Sequence, residues 1–331
     1  MERHIDVIAT TISGSIRDWG KVERIVPLFR ERGVEDVALF AVDTHRAARE
    51  KTRELVESGS RIVISAGGSG TFNAVLEGCW EAGIGLGDIR LGFLRKGSAD
   101  LIGKTLGMPD EIEAAIDVFV DALSNDRTVP CDILEARTEG DETPPRRFVG
   151  YGGAEIFGAI PHFTENRFIK YYKGVLSQLF GDLGPFFVGT TLAILGKLLR
   201  QLARGKRRWT ISVDGSDVAE DRFQAMIIVN GDLGPDLPFA RGVPLGSGDF
   251  YLFTLRDIGT IRLYGQLRRA WSASILEEPE KWGLSSYRVS RHLTLRSQDA
   301  AVFPLNVDGS AMPCRGSAMI EIVGQIHLLA R

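Results

Sequence analysis

The stretch RIVISAGGSGTFNAVLEGCWEAG, residues 61–83, decides the fold. Its first part, residues 61–66, is apolar through the centre, as a strand covered on both faces must be. Its last part places Phe72, Val75, Leu76, Cys79 and Trp80 on one face of a helix that Gly83 ends. Gly67-Gly68-Ser69-Gly70-Thr71 joins the two. Glycines let a backbone turn tightly and approach a ligand closely. The loop's N–H groups, with those that open the following helix, make an anion site suited to phosphate. Thr71 stands where it would cap that helix and donate to an oxygen. Three glycines in four residues exceed what a plain strand-to-helix turn needs, so phosphate binding is the better reading. The loop is not a Walker A sequence, since no Gly-Lys-Ser/Thr follows, and its glycine spacing is not that of a Rossmann fingerprint.

The same alternation extends outward on both sides. Residues 5–9 read as a strand, and Val22, Ile25, Val26 and Phe29 mark a helix that Gly33 stops. Residues 37–42 read as a second strand, followed by a helix over 44–56 with Thr44 as its N-cap. Residues 89–94 form a fourth strand, and Asp110 opens a helix whose core face is Ile112, Ile116, Phe119 and Leu123. Strands alternating with helices imply an α/β domain with a mostly parallel sheet covered on both faces, over residues 1–128. From Val129 the texture changes to short β-like runs at 133–137, 148–151, 210–213, 225–229, 251–255, 288–295, 320–322 and 327–329. These imply an antiparallel, sandwich-like domain over 129–315. Residues 139–145 read as an exposed hairpin tip, and Asp214-Gly215 as a tight hairpin turn.

Composition bounds the function. The chain has 331 residues, enough for two domains of ordinary size. A net charge of −3 gives no pull toward nucleic acid. Cys79, Cys131 and Cys314 lie far apart, without metal spacing, which fits a reducing cytosol. The five histidines show no ligand spacing either. The start of the chain lacks a signal-peptide core, and its longest apolar run, residues 184–195, falls short of the ~20 residues of a membrane span. The expected location is cytoplasmic. One helical block over 167–204 combines apolar residues with a basic end at Lys197, Arg200, Arg204, Lys206, Arg207 and Arg208. A helical hairpin with a solvated basic turn is the preferred reading. Peripheral contact with an anionic membrane surface, a lipid-tail pocket and a homodimer contact stay open.

Residues 65–78, SAGGSGTFNAVLEG, resemble the G-G-D-G-T-x-N-E-V-x-N-G motif of the diacylglycerol kinase catalytic-domain family, which includes bacterial lipid kinases, sphingosine kinases and ceramide kinases. Residues 10–14 (TTISG), 44–48 (THRAA), 95–109 (RKGSADLIGKTLGMP), 151–157 (YGGAEIF), 228–231 (IVNG) and 307–310 (VDGS) resemble its other blocks in the same order. The resemblance implies a nucleotide-binding α/β domain followed by a β-sandwich domain, with ATP and a lipid or lipid-like alcohol in the cleft between. It also implies that the tail, about 316–331, returns to the first domain. For ATP it implies Thr10, Ser13, Thr44, Gly67, Gly68, Gly70, Thr71, Gly97 and Ser98, with Lys96 added from this chain's own sequence.

The motif's carboxylates are replaced. Ser69 stands for the Asp of G-G-D-G-T, Ser310 for the Glu of a late D-G-E block, and Ser247 falls in an otherwise acidic block, with Asp249 two residues on. Asp100 is retained only if the alignment slips by one residue. Serine is neutral, a poor ligand for Mg²⁺ and a poor base near neutrality. Loss of a positioned general base costs about 10²–10⁴-fold in rate. The replacements therefore count against Mg²⁺. Arg95 and Lys96 replace an apolar pair, either to offset phosphate charge or to meet solvent. Ser69, Asp100, Asp249, Asp308 and His162 remain as catalytic candidates. Three readings follow: an ATP-dependent lipid kinase with a rearranged acid set, an inactive nucleotide- or lipid-binding pseudokinase, and a relative repurposed for a different reaction.

Overall fold

A computed structural model describes residues 4–10, 22–95, 101–139, 143–164, 190–196 and 207–331. The chain divides into two compact units, Met1–Ile133 with Gly324–Arg331, and Leu134–Val323.

In the first unit, strands β1 (Ile5–Thr10), β2 (Val37–Val42), β3 (Ile62–Gly67) and β4 (Arg90–Arg95) form a parallel sheet in the order β2-β1-β3-β4. β1 and β3 are buried along their whole length, which explains why most of their residues are apolar, with Asp6, Thr10 and Ser65 as buried exceptions. Each Ile or Val fully buried there contributes about 1.5–3 kcal/mol. Helices α1 (Ile25–Glu31), α2 (His45–Glu57), α3 (Ser69–Glu81), α4 (Leu101–Thr105) and α5 (Ile112–Ser124) complete the alternation. Phe72 of α3 packs on Phe93 of β4, with ring centroids 4.7 Å apart. Thr44 caps α2 as its sequence predicts, its hydroxyl accepting from the Ala47 N–H at 3.0 Å. Asp110 does not cap α5. That helix starts at Ile112 after Glu111 without a side-chain cap, because the Asp110 carboxylate turns to Arg95 instead, 3.1 Å away.

The second unit is antiparallel. One sheet takes β7 (Tyr151–Glu155), β10 (Phe223–Val229), β11 (Phe250–Arg256), β12 (Leu284–Val289), β14 (Val302–Val307) and β15 (Ser310–Arg315), in the order β12-β11-β10-β7-β14-β15. A second layer pairs β8 (Trp209–Val213) with β9 (Ser216–Asp221) and β13 (His292–Ser297), and β13 with the first part of β16 (Ser317–Leu329). β5 (Thr128–Arg137) and β6 (Arg146–Phe148) make a hairpin. The core between the layers holds Trp209, Phe303, Phe148, Phe250 and Leu293, with Trp209 edge-on to Phe303 at 4.7 Å. Farther along, His327 and Leu328 of β16 lie parallel to Arg90 and Leu91 of β4 in the first unit.

Three readings need correction. The run 288–295 splits into β12 and β13, because Asp214 in the facing turn accepts the N–H groups of Ser290, Arg291 and His292 and folds the chain there. The runs 320–322 and 327–329 are one strand. A helix also interrupts the β-rich half, Thr260–Trp271, which becomes α7 after α6 (Ile156–Thr164). Its buried face carries Gln266, which donates to the Arg256 and Trp282 carbonyls. The block 167–204 lies outside the described residues except for 190–196, which are helical. Among the described residues no helix is long and apolar enough to cross a membrane.

At the foot of β1, His4 bridges two carboxylates, with Nδ1 2.7 Å from Asp36 and Nε2 2.9 Å from Asp6. The Asp36 hydrogen bond is the main reason that its pKa rises above 6.5. A raised histidine stabilises the fold fully below the unfolded value and loses that contribution as pH rises through the folded one. The stability difference between wild type and His4→Ala should therefore be largest below pH 6.5 and shrink above it, which denaturant titrations across that range will measure.

Candidate phosphate-binding site

The order β2-β1-β3-β4 reverses direction between β1 and β3. In open parallel sheets, ligands bind outside the carboxyl ends of the strands at such a reversal. β1 ends there at Thr10 and β3 at Gly67, and the Gly67–Thr71 loop turns directly into α3. The buried hydroxyls of Thr10 and Thr71 lie 2.6 Å apart, so the end of β1 is fastened to the first turn of α3. The position that suggests a helix cap is thus inside the helix. α3 begins at Ser69 with Gly68 as N-cap, and Thr71 serves as a clamp because the helix starts two residues before it.

The three glycines do different work. A Cβ on Gly67 would lie 2.4 Å from the Thr71 hydroxyl oxygen, and one on Gly70 would lie 2.7 Å from the His45 ring. Both are glycine because the chain packs against itself there. Gly68 has an extended backbone and nothing within 4 Å of where its Cβ would be. Internal packing leaves its lack of a side chain unexplained, and it opens onto the start of α3. The first N–H groups of a helix have no carbonyl one turn back, and they carry the positive end of its dipole. The first turn of α3 contains no acid. The arrangement can receive a phosphate oxygen or a similar anion.

Two further residues of this unit stand out. Asn73, one turn into α3, has a buried side-chain oxygen without a hydrogen-bond partner among the described residues. Its place in the motif was quotable, but its orientation was not readable from the sequence. Arg95 ends β4 beside Gly67 in register. Its side chain is only 5% exposed, donates to the Met108 carbonyl at 3.0 Å and pairs with Asp110. It does not meet solvent, because its stem packs on Gly103. Ser13, Lys96, Gly97, Ser98 and Asp100 lie outside the described residues.

In the second unit the remaining acids are engaged. The Asp249 carboxylate pairs with Arg288 and accepts from the Ser290 hydroxyl at 2.6 Å. The Arg288 contact is the main cause that holds its pKa below the usual carboxylate range. Ser247 donates to the Asp249 carbonyl. Asp308 is buried in the β14–β15 turn and accepts the N–H groups of Val149, Gly150 and Tyr151. Burial pushes its pKa up to about 6, against the pull of those donors. Ser310 opens β15. His162 lies on α6, and its side chain is outside the described set. Among the described residues no group of three or more His, Cys, Asp or Glu is placed to hold a metal.

Residues 4–134 match the model of the diacylglycerol kinase catalytic domain. A diacylglycerol kinase of Staphylococcus haemolyticus (strain JCSC1435) is 29% identical over 103 residues, which are 31% of this chain and 29% of that protein. The chain thus matches under a third of the length of that curated relative. The full chain superposes on a Bacillus anthracis str. Sterne protein assigned as a diacylglycerol kinase, with a TM-score of 0.70, 16% identity and 99% and 95% of the two chains covered. It also superposes on an NAD kinase of Archaeoglobus fulgidus solved with ATP, with a TM-score of 0.52, 12% identity and 98% and 93% covered. The fold is therefore the two-domain, diacylglycerol-kinase-like one, and its first part is a diacylglycerol-kinase-like catalytic domain.

The glycine geometry is open to direct test. Gly67→Ala forces a methyl against Thr71 and should destabilise the fold by about 1–3 kcal/mol. Gly68→Ala should stay within about 0.5 kcal/mol of wild type. Paired thermal melts will show whether the two differ in this way.

Proposed function

We propose that the chain binds ATP through the Gly67–Thr71 loop and acts as a lipid kinase on a lipid or lipid-like alcohol. The observation that carries this reading is the open, acid-free start of α3 at Gly68, at the point where the strand order reverses. The N–H groups of the loop would take the phosphate oxygens, and Thr10 and Thr71 would hold the loop to β1. The family match and the ATP-bound neighbour of the same fold support a nucleotide as the anion. In such a transfer the acceptor hydroxyl oxygen bonds to the γ-phosphorus, the bond to the bridging oxygen breaks, ADP leaves, and the hydroxyl proton passes to a base. The described side chains around the loop do not fit a Mg²⁺ site, because Ser69 stands where the family has Asp and no acid lies in the first turn of α3.

Those same residues favour a second reading, in which the nucleotide is bound without transfer and the protein acts as a pseudokinase. Ser69 is a poor base, and Asp249 and Asp308 already hold Arg288 and three backbone N–H groups.

Calorimetry with ATP separates these readings from failure. Wild type should bind, and Gly68→Asp, which sets a carboxylate in open space at the anion site, should weaken binding by about tenfold or more. Transfer of labelled phosphate to lipid alcohols in mixed micelles then decides between kinase and pseudokinase. If ATP does not bind, or binds Gly68→Asp equally well, the loop is not a nucleotide site.

A further inference from the structure

His45 opens α2 and lies against Gly70 of the glycine loop. A Cβ placed on Gly70 would be 2.7 Å from the imidazole Cε1, 3.0 Å from Nε2 and 3.4 Å from Nδ1. The ring thus rests on a residue whose own N–H belongs to the first turn of α3, ahead of any helical carbonyl that could accept it. His45 is also exposed. Farther along, α2 stays close to α3. A Cβ on Gly78 would lie 2.5 Å from the Arg49 carbonyl oxygen, and the Arg49 side chain donates to Glu81 at 2.7 Å. Start meets start and middle meets middle, so the two helices run side by side in the same direction, with His45 and Ser69 at one end.

Helices aligned in this way set two positive dipole ends next to each other, and an anion between them relieves the repulsion. Neither first turn contains an acid. The charged groups around the ring come from three elements. On α2, Arg46 pairs with Glu50, and Arg49 with Glu81 of α3, where Glu77 also lies near Arg49. Asp43, exposed, stands between β2 and the Thr44 cap. β1 presents Thr10, whose hydroxyl is bonded to Thr71. An imidazolium at this junction adds a full positive charge to two partial ones.

We infer that His45 is a further anion-binding residue of this site. Its ring donates an N–H to an oxygen of the phosphate or polyphosphate held by the Gly67–Thr71 loop. When protonated, it supplies the positive charge that the side chains of Ser69 and Thr71 do not. His45 plays this part only if the loop binds anions, as proposed above.

Sulfate and ATP, titrated separately against the full chain by calorimetry, test the role of the ring. Sulfate keeps its charge between about pH 6 and pH 8, the range in which an imidazole loses its own. Wild type should therefore bind sulfate about tenfold tighter at the acid end of that range than at the basic end. His45→Gln, which keeps a polar side chain but cannot ionise, should bind sulfate about tenfold more weakly at the acid end and lose the pH dependence. His45→Arg should hold sulfate at both ends, because its charge is permanent. Without an anion both variants should melt as wild type does, since the ring is exposed. Equal sulfate binding by wild type and His45→Gln, or a pH dependence that survives in His45→Gln, would overturn the assignment. ATP bound alike by wild type and His45→Gln would also overturn it, while leaving the nucleotide reading in place. Sulfate binding that depends on His45, with ATP left unbound, would support it and sink the nucleotide reading instead. A wild type that binds neither anion would remove both.

Discussion

The hydrogen bond between the Thr10 and Thr71 hydroxyls, 2.6 Å long and buried, holds the end of β1 to the start of α3. It forms only because Gly67 has no side chain, since a Cβ there would sit 2.4 Å from the same hydroxyl. On the far side His45, which follows the Thr44 cap of α2, closes against Gly70 in the same way. Two helices and two strands are thereby drawn to one point, and the first N–H groups of α3 are left facing outward at Gly68. The position of the candidate site is a consequence of this packing more than of any one residue's chemistry.

What the site lacks is negative charge. A helix start without an acid in its first turn favours anions, but it offers no carboxylate to hold a metal or take a proton. Arg95 does not simply add to the positive field. It is turned into the turn at Met108 and Asp110, where it ties the end of β4 to the segment before α5. Its burial beneath Gly103 is affordable for an arginine because both the carbonyl and the carboxylate receive its N–H groups.

The second unit uses acids as backbone fasteners. Asp214 gathers three N–H groups at the β12–β13 corner, and Asp308 gathers three at the entry to β7. Both residues adopt positive φ in tight turns, where a short polar side chain can reach the facing backbone. A sequence block that looks like a site for acid chemistry can therefore serve a turn, and only the coordinates of the facing strand distinguish the two.

The parallel half was legible from residue order alone. Continuous apolar runs, glycine stops and the Thr44 cap are local signals, and each depends on neighbours within a few positions. The glycine loop was legible for the same reason. Other features depend on residues far apart in the chain and were not. The clamp between Thr71 and Thr10, sixty-one residues earlier, is one of them. The turn of Asp110 toward Arg95 and the break of residues 288–295 at Asp214 are likewise decided across the fold. Sequence by itself determined the alternation of elements, the glycine-rich loop between strand and helix and the serine at its centre, because these are properties of residue type and spacing. Tertiary structure alone decided which glycine faces open space and which acids are already engaged, because both depend on atoms brought together only when the chain has packed.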